Sequence, residues 1–204
     1  MIAWLAAQLA DAWSTTSWVE ILAFVLAIAY LLLAIRQSLS CWAAAFVSSC
    51  LYVWVFFGAR LYMDSMLNVF YAAMAVYGFW QWRRPKTEEP LPVRRWPISR
   101  NAYAAAGIVA VALVNAYFLH RYTPAAKPLA DSLVAWSSVF ATFLVARKIY
   151  ENWHWWLLID ATSLYLSFTR GLYLTVLLFA LYLVLIAIGM REWRRSLAVA
   201  AHAA

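Results

Sequence analysis

Charged residues along this chain fall in short clusters, and between the clusters the chain stays apolar for lengths that match a bilayer. One uncharged run lies between Glu20 and Arg36, extended by Trp18 and Val19. Others run from Ser38 to Ala59, from Ser65 to Trp82 with Asp64 at the lip, and from Asn101 to His120. A fifth lies between Asp131 and Arg147, a sixth runs from Trp153 to Thr169 interrupted by Asp160, and a seventh from Gly171 to Met190. A hydrocarbon core about 30 Å thick needs roughly 20 residues of helix, so the pattern predicts seven transmembrane helices. Within residues 1–17, Trp4, Leu5, Leu9 and Trp13 recur at helical spacing and predict a short interfacial helix. No basic residue precedes this stretch, so a cleaved signal peptide is not expected.

Composition agrees. Of 204 residues, 67% are apolar and 12% charged, against about 45–50% and about 25% in a soluble domain. The mean hydropathy is +0.72. A soluble fold and a disordered chain are both excluded, and seven spans leave no length for a soluble catalytic or nucleotide-binding domain. Cys41 and Cys50 sit in or beside an apolar run and read as packing residues.

The net charge of +7 matters through its distribution rather than as a sign of nucleic acid. With seven spans, Arg36, Arg83, Arg84, Lys86, Arg94, Arg95, Arg100, Arg147, Lys148, Arg191, Arg194 and Arg195 share one side, leaving Arg60, Arg121, Lys127 and Arg170 on the other, 12 of 16 against 4. The positive-inside bias then predicts an outside N-terminus and a cytoplasmic C-terminus. The 83–101 connection contains Pro85, Pro90, Pro92 and Pro97 and is expected to be an exposed cytoplasmic linker. Residues 194–204 are expected to be a cytoplasmic tail.

The chain also repeats itself at a constant offset of 111. Arg36 matches Arg147, Trp42 matches Trp153, Leu61-Tyr62 matches Leu172-Tyr173, Tyr71 matches Tyr182 and Gly78 matches Gly189. Trp82-Arg83-Arg84 matches Trp193-Arg194-Arg195, and Glu20 falls against Asp131. The predicted architecture is therefore all-α: repeat one over 18–82, a linker helix over 102–120 and repeat two over 130–193. An odd helix between two three-helix units gives both the same orientation, and such parallel repeats are a transporter arrangement.

Ionisable residues within a span cost several kcal/mol and mark functional candidates. Trp153, Trp156, Asp160 and Ser163 lie along one face of the sixth span, and Asp64, Asn68 and Tyr71 along one face of the third. Carboxylates, an amide and aromatic rings together suit a cationic aromatic ligand. Structural duties compete with this reading. Asp64 fits a helix cap, Asn68 an interhelical bond, Trp153 and Trp155 an interfacial belt, and Asp160 a buried acceptor. No phosphate-binding G-x-x-x-x-G-K-[ST] loop is present, and His120, His154 and His202 are scattered. No metal, cofactor or enzymatic residue set is expected, and Lys86, Lys127 and Lys148 all lie outside the mid-membrane positions that a retinal Schiff base needs. A membrane-embedded enzyme and a non-transporting sensor remain as other classes.

Trp18-Val19-Glu20, Phe56-Phe57-Gly58-Ala59-Arg60-Leu61-Tyr62, Val145-Ala146-Arg147-Lys148, Glu151-Asn152-Trp153, Arg170-Gly171-Leu172-Tyr173-Leu174-Thr175 and Gly189-Met190-Arg191-Glu192-Trp193 resemble the nicotinamide riboside transporter family PnuC, over roughly residues 18–195. The resemblance implies a 3+1+3 fold like that of SWEET sugar transporters, in a bacterial inner membrane. It implies facilitated diffusion of an unphosphorylated vitamin precursor, trapping by a separate cytoplasmic kinase, and a homotrimer within membrane lipid. It also implies substrate contacts. The family's glutamine on the third span is Asn68 here, followed by Tyr71, and its W-x-x-W reads Phe79-Trp80-Gln81-Trp82. The sixth-span pattern is matched by Asn152-Trp153, Trp156 and Asp160. Asn68 reaches about 1.3–1.5 Å less than glutamine, one C–C bond. Nicotinamide riboside is the expected substrate. Thiamine, carried by the related PnuT proteins, is equally cationic, and riboflavin relatives carry a neutral ligand.

Overall fold

The computed structural model describes residues 17–60, 62–83, 91–123, 127–169, 171 and 173–202. The expected interfacial helix within 1–17 and residues 84–90 of the linker lie outside the described residues, save Ser17. The fold is all-α, an α-helical membrane protein. Its helices are α1 (Trp18–Ile35), α2 (Ser40–Gly58), α3 (Tyr62–Arg83), α4 (Ile98–Tyr122), α5 (Pro128–Ala146), α6 (Asn152–Thr169) and α7 (Tyr173–His202). Five are long and apolar enough to cross a membrane: α1, α2, α4, α5 and the Thr175–Ala198 stretch of α7. The other two, α3 and α6, have the length, at about 1.5 Å per residue, but carry the polar residues Asp64, Asn68 and Gln81, and Asn152, His154 and Asp160.

Local chemistry sets the helix ends. Ser17 Oγ accepts the Glu20 N–H at 3.3 Å, capping α1 and placing a carboxylate in its positive first turn. Pro128 opens α5, where its missing N–H costs nothing, with Asp131 in the same turn. Large apolar side chains such as Trp54, 77% exposed, remain on the outside, as they do where the solvent is lipid.

The helices fall into two compact units, one up to Val76 and one from Tyr77 onward, the division lying within α3. In the first, α1 packs on α2, and the buried Ser48 Oγ donates to Ala23 O at 2.8 Å. Tyr30 meets the buried Trp42 at 6.1 Å between ring centroids. In the second, α4 packs on α5, α5 on α6 and α6 on α7. Asn115 Nδ2 donates to Ser132 Oγ at 3.1 Å between α4 and α5.

The repeat read from the sequence is present in the backbone, bond for bond. At the end of α1, Gln37 N–H donates to Ala34 O (3.0 Å) and Ser38 N–H to Leu33 O (2.9 Å). At the end of α5, Lys148 N–H donates to Val145 O (2.9 Å) and Ile149 N–H to Leu144 O (2.9 Å). Both are Schellman motifs, shifted by 111 residues, and both put a non-glycine residue in the left-handed region, Gln37 at φ 55° and Lys148 at φ 50°. The next turn repeats as well. Arg60 (φ 62°) and Gly171 (φ 73°) donate to Phe57 O and Phe168 O, each at 3.1 Å.

One expectation gains detail and one is corrected. The segment after Trp193 is helical, because α7 continues to His202. The sequence beyond Arg195 is alanine-rich and free of glycine and proline, so nothing stops the helix. The described part of the linker is not simply exposed. Leu91 and Val93 are buried, and Arg94 forms a parallel bridge with Ile149. Arg94 N–H donates to Lys148 O at 2.9 Å, and Tyr150 N–H donates to Arg94 O at 2.8 Å. Glu151 completes the clip. Its carboxylate accepts the Trp96 N–H at 2.8 Å and pairs with Arg95 at 3.2 Å.

Candidate functional site

On α6, helical spacing stacks Trp156, Asp160, Ser163 and Ser167 at i, i+4, i+7 and i+11. Asp160, Ser163 and Ser167 are buried and Trp156 is half-buried. Asp160 is only 5% exposed. Among the described residues no cation pairs with its carboxyl group and none donates a hydrogen bond to it. A carboxyl group held in this way is an acceptor available to a ligand, beside an aromatic face and a hydroxyl group. Its position in the repeat corresponds to Ser49 on α2, also buried. The offset of 111 makes that correspondence readable in the sequence. Ser167 continues the Trp156, Asp160 and Ser163 face by one more turn.

Trp153 lies elsewhere. Its side chain is 2% exposed, and its ring meets Trp193 edge-on at 5.5 Å. It also lies against Gly189, where an added Cβ would overlap the indole. Its faces are therefore occupied by α7. Trp155 bridges helices: its Nε1 donates to Asn101 Oδ1 on α4 at 3.2 Å, and its ring meets Phe140 on α5 edge-on at 5.0 Å. Asn152 is fully buried and donates Nδ2 to Ile149 O at 2.6 Å, holding the start of α6.

In the first unit, Asp64 is exposed in the first turn of α3. One turn on, half-buried Asn68 donates its Nδ2 to Asp64 O at 2.9 Å, a bond within its own helix, which leaves its Oδ1 to face outward from that bond. Tyr71 is half-buried and sits against Phe70 at 5.9 Å between centroids.

A further group lies at the basic end of the second unit. Trp82 Nε1 donates to Ala146 O at 3.1 Å, satisfying a carbonyl at the end of α5. Lys148, only 4% exposed, places its Nζ 4.5 Å from the centre of the Trp82 ring. No group of three or more metal-ligating side chains occurs among the described residues.

Comparison with known proteins adds the following. The family model described as nicotinamide mononucleotide transporter matches residues 17–195. The nicotinamide riboside transporter PnuC of Escherichia coli is 25% identical, covering 88% of this chain and 86% of its own. The riboflavin/roseoflavin transporter RibM of Streptomyces davaonensis is 28% identical, covering 86% and 84%. A crystal structure of the vitamin B3 transporter PnuC superposes with a TM-score of 0.72 at 21% identity, covering 96% of this chain and 88% of that one.

Proposed function

The chain belongs to the nicotinamide mononucleotide transporter family, and from that premise we propose that it carries nicotinamide riboside across a bacterial inner membrane by facilitated diffusion. The observation that supports a cationic substrate is the buried Asp160, which has no cationic partner among the described residues, and the similarity to PnuC favours nicotinamide riboside among cationic ligands. A quaternary pyridinium ring supplies the positive charge that such a carboxylate favours, and Trp156 supplies a face on which the ring can stack. Ser163 and, in the first unit, Asn68 and Tyr71 are proposed as contacts for hydroxyl and amide groups. Asp64 is proposed to attract the cation at the helix entrance. Trp153 is proposed to act by shaping the wall on which Trp156 stands.

The distribution of basic residues supports a cytoplasmic C-terminus. The sequence has no ATP-hydrolysing motif, which supports trapping of the product by a separate kinase. A homotrimer belongs to the same proposal and is tested by the mass of the detergent-solubilised particle.

A neutral flavin is the second reading, favoured by the similarity to RibM. Uptake into sealed proteoliposomes distinguishes the readings, with labelled nicotinamide riboside, thiamine and riboflavin offered separately. Saturable entry of nicotinamide riboside alone supports the proposal. Entry of thiamine alone keeps the cationic site and changes the substrate. Entry of riboflavin alone overturns the role given to Asp160. Binding without entry makes the protein a sensor, and release of an altered compound makes it an enzyme.

A further inference from the structure

Near its C-terminal end, α7 carries Arg191, Arg194, Arg195 and Ala198 at i, i+3, i+4 and i+7, along a single face. Together with Met190 and Tyr150 they line an open groove of about 420 Å³. The tyrosine comes from the turn between α5 and α6 and is fixed in place. It is 7% exposed, its ring meets His154 edge-on at 5.4 Å, and the Arg95 guanidinium lies 5.6 Å from its centre. Arg195 pairs with Glu192 at 2.7 Å, and Arg95 with Glu151 at 3.2 Å. Among the described residues, no carboxylate pairs with Arg191 or Arg194. Two guanidinium groups with no carboxylate partner among the described residues therefore face one groove.

Membrane anchoring accounts for basic residues near a span, but it needs no groove and no ordered side chain between them. The repeat accounts for only part of the groove. At the offset of 111, Arg194 and Arg195 correspond to Arg83 and Arg84, but Tyr150, Met190 and Arg191 correspond to Leu39, Phe79 and Trp80.

We propose that this groove binds a phosphate group, either on a small phosphorylated metabolite or in a lipid headgroup. The guanidinium fork matches phosphate oxygens two at a time. A monoester carries about −1.5 to −2 charge near neutral pH, which the Arg191 and Arg194 guanidinium groups balance. Met190 and Ala198 give the attached organic part an apolar wall. The proposal is independent of which vitamin precursor the protein carries.

The test uses the full-length protein purified in neutral detergent. Adenosine monophosphate and inorganic phosphate are titrated against tryptophan fluorescence. Dioleoylphosphatidylglycerol is compared with dioleoylphosphatidylcholine by native mass spectrometry. The R191Q/R194Q variant is expected to weaken the phosphate-bearing probe at least tenfold. The R83Q/R100Q variant makes the same charge change outside the groove and is expected to stay within twofold. Soluble phosphates alone responding in this way assigns a metabolite; phosphatidylglycerol alone assigns a headgroup. Failure of all probes to bind overturns the proposal, as does equal loss in both variants, which would show diffuse surface charge. Should R191Q/R194Q not fold, Arg194→Lys keeps the charge without the fork and is expected to weaken binding about threefold. No loss in that variant also overturns the proposal.

Discussion

Gly189 on α7 lies so close to the indole of Trp153 on α6 that a methyl group at position 189 would occupy the ring's own volume. The two helices therefore approach through a residue without a side chain, and the tryptophan fills the space that this leaves. Overfilling a packed site of this kind costs about 1–3 kcal/mol. Gly189→Ala is expected to lower the thermal unfolding midpoint in detergent, and adding Trp153→Leu is expected to recover part of the loss. Strictly additive effects of the two substitutions would count against the contact.

Gln37 and Lys148 hold the same left-handed turn in the two repeats, and the Lys148 cation also lies over the Trp82 ring. A non-glycine residue in that region costs roughly 1–2 kcal/mol, and glycine recovers part of this after its own entropic cost of about 0.5–1 kcal/mol. Gln37→Gly is therefore expected to cost less than Lys148→Gly. Lys148→Gly relieves the same strain but removes the cation over Trp82, worth about 0.5–2 kcal/mol, along with the buried packing of its stem. It is expected to destabilise. A smaller loss for Gln37→Gly in parallel melting experiments checks the pair.

Glu151 anchors the segment before α4 through the Trp96 N–H and the Arg95 guanidinium. Hydrogen bonds to a charged group contribute about 1.5–3 kcal/mol. Glu151→Ala is expected to speed amide hydrogen exchange at Arg94, Trp96 and Tyr150 while leaving α1 and α2 unchanged. Unchanged protection at Arg94 and Trp96 would show that the bridge to Ile149 suffices without the carboxylate.

Asp160→Asn keeps size and hydrogen-bonding capacity but removes the charge. Uptake of nicotinamide riboside is expected to fall about tenfold, equivalent to about 1.4 kcal/mol, and Trp156→Ala is expected to reduce it similarly. Asn68→Gln restores the reach of the longer amide and is expected to be tolerated. Normal uptake by well-expressed Asp160→Asn and Trp156→Ala proteins would remove both residues from the substrate site.

Much of the fold was legible because charges bound each hydrocarbon-length run. Glu20, Arg36, Arg147 and Asp131 mark helix ends within a few residues. The offset of 111 was legible from side chains, and it proved to extend to backbone turns at Gln37 and Lys148. The burial of Asp160 and Ser163 on one face of α6 followed from helical spacing. Contacts between distant segments were harder to read. Gly189 stood out as a repeat marker, but nothing local to it points to Trp153. Four prolines made 83–101 look like an exposed linker, while the alternation of Leu91 and Val93 with Pro92 and Arg94 was a two-residue period too short to stand out. The continuation of α7 was written in Ala198, Ala200 and Ala201, beyond the repeat boundary at Trp193.

The 30 residues of α7 make a rod about 45 Å long at about 1.5 Å per residue, roughly 15 Å more than a hydrocarbon core. The rod is therefore longer than the core it crosses, and it is one continuous helix. Any tilt or roll that α7 undergoes in the membrane is carried, undamped by a hinge, to Arg191, Arg194 and Ala198. A spectroscopic label on Ala198, the last residue of the apolar stretch, would act as a dial that reports the angle of the whole helix.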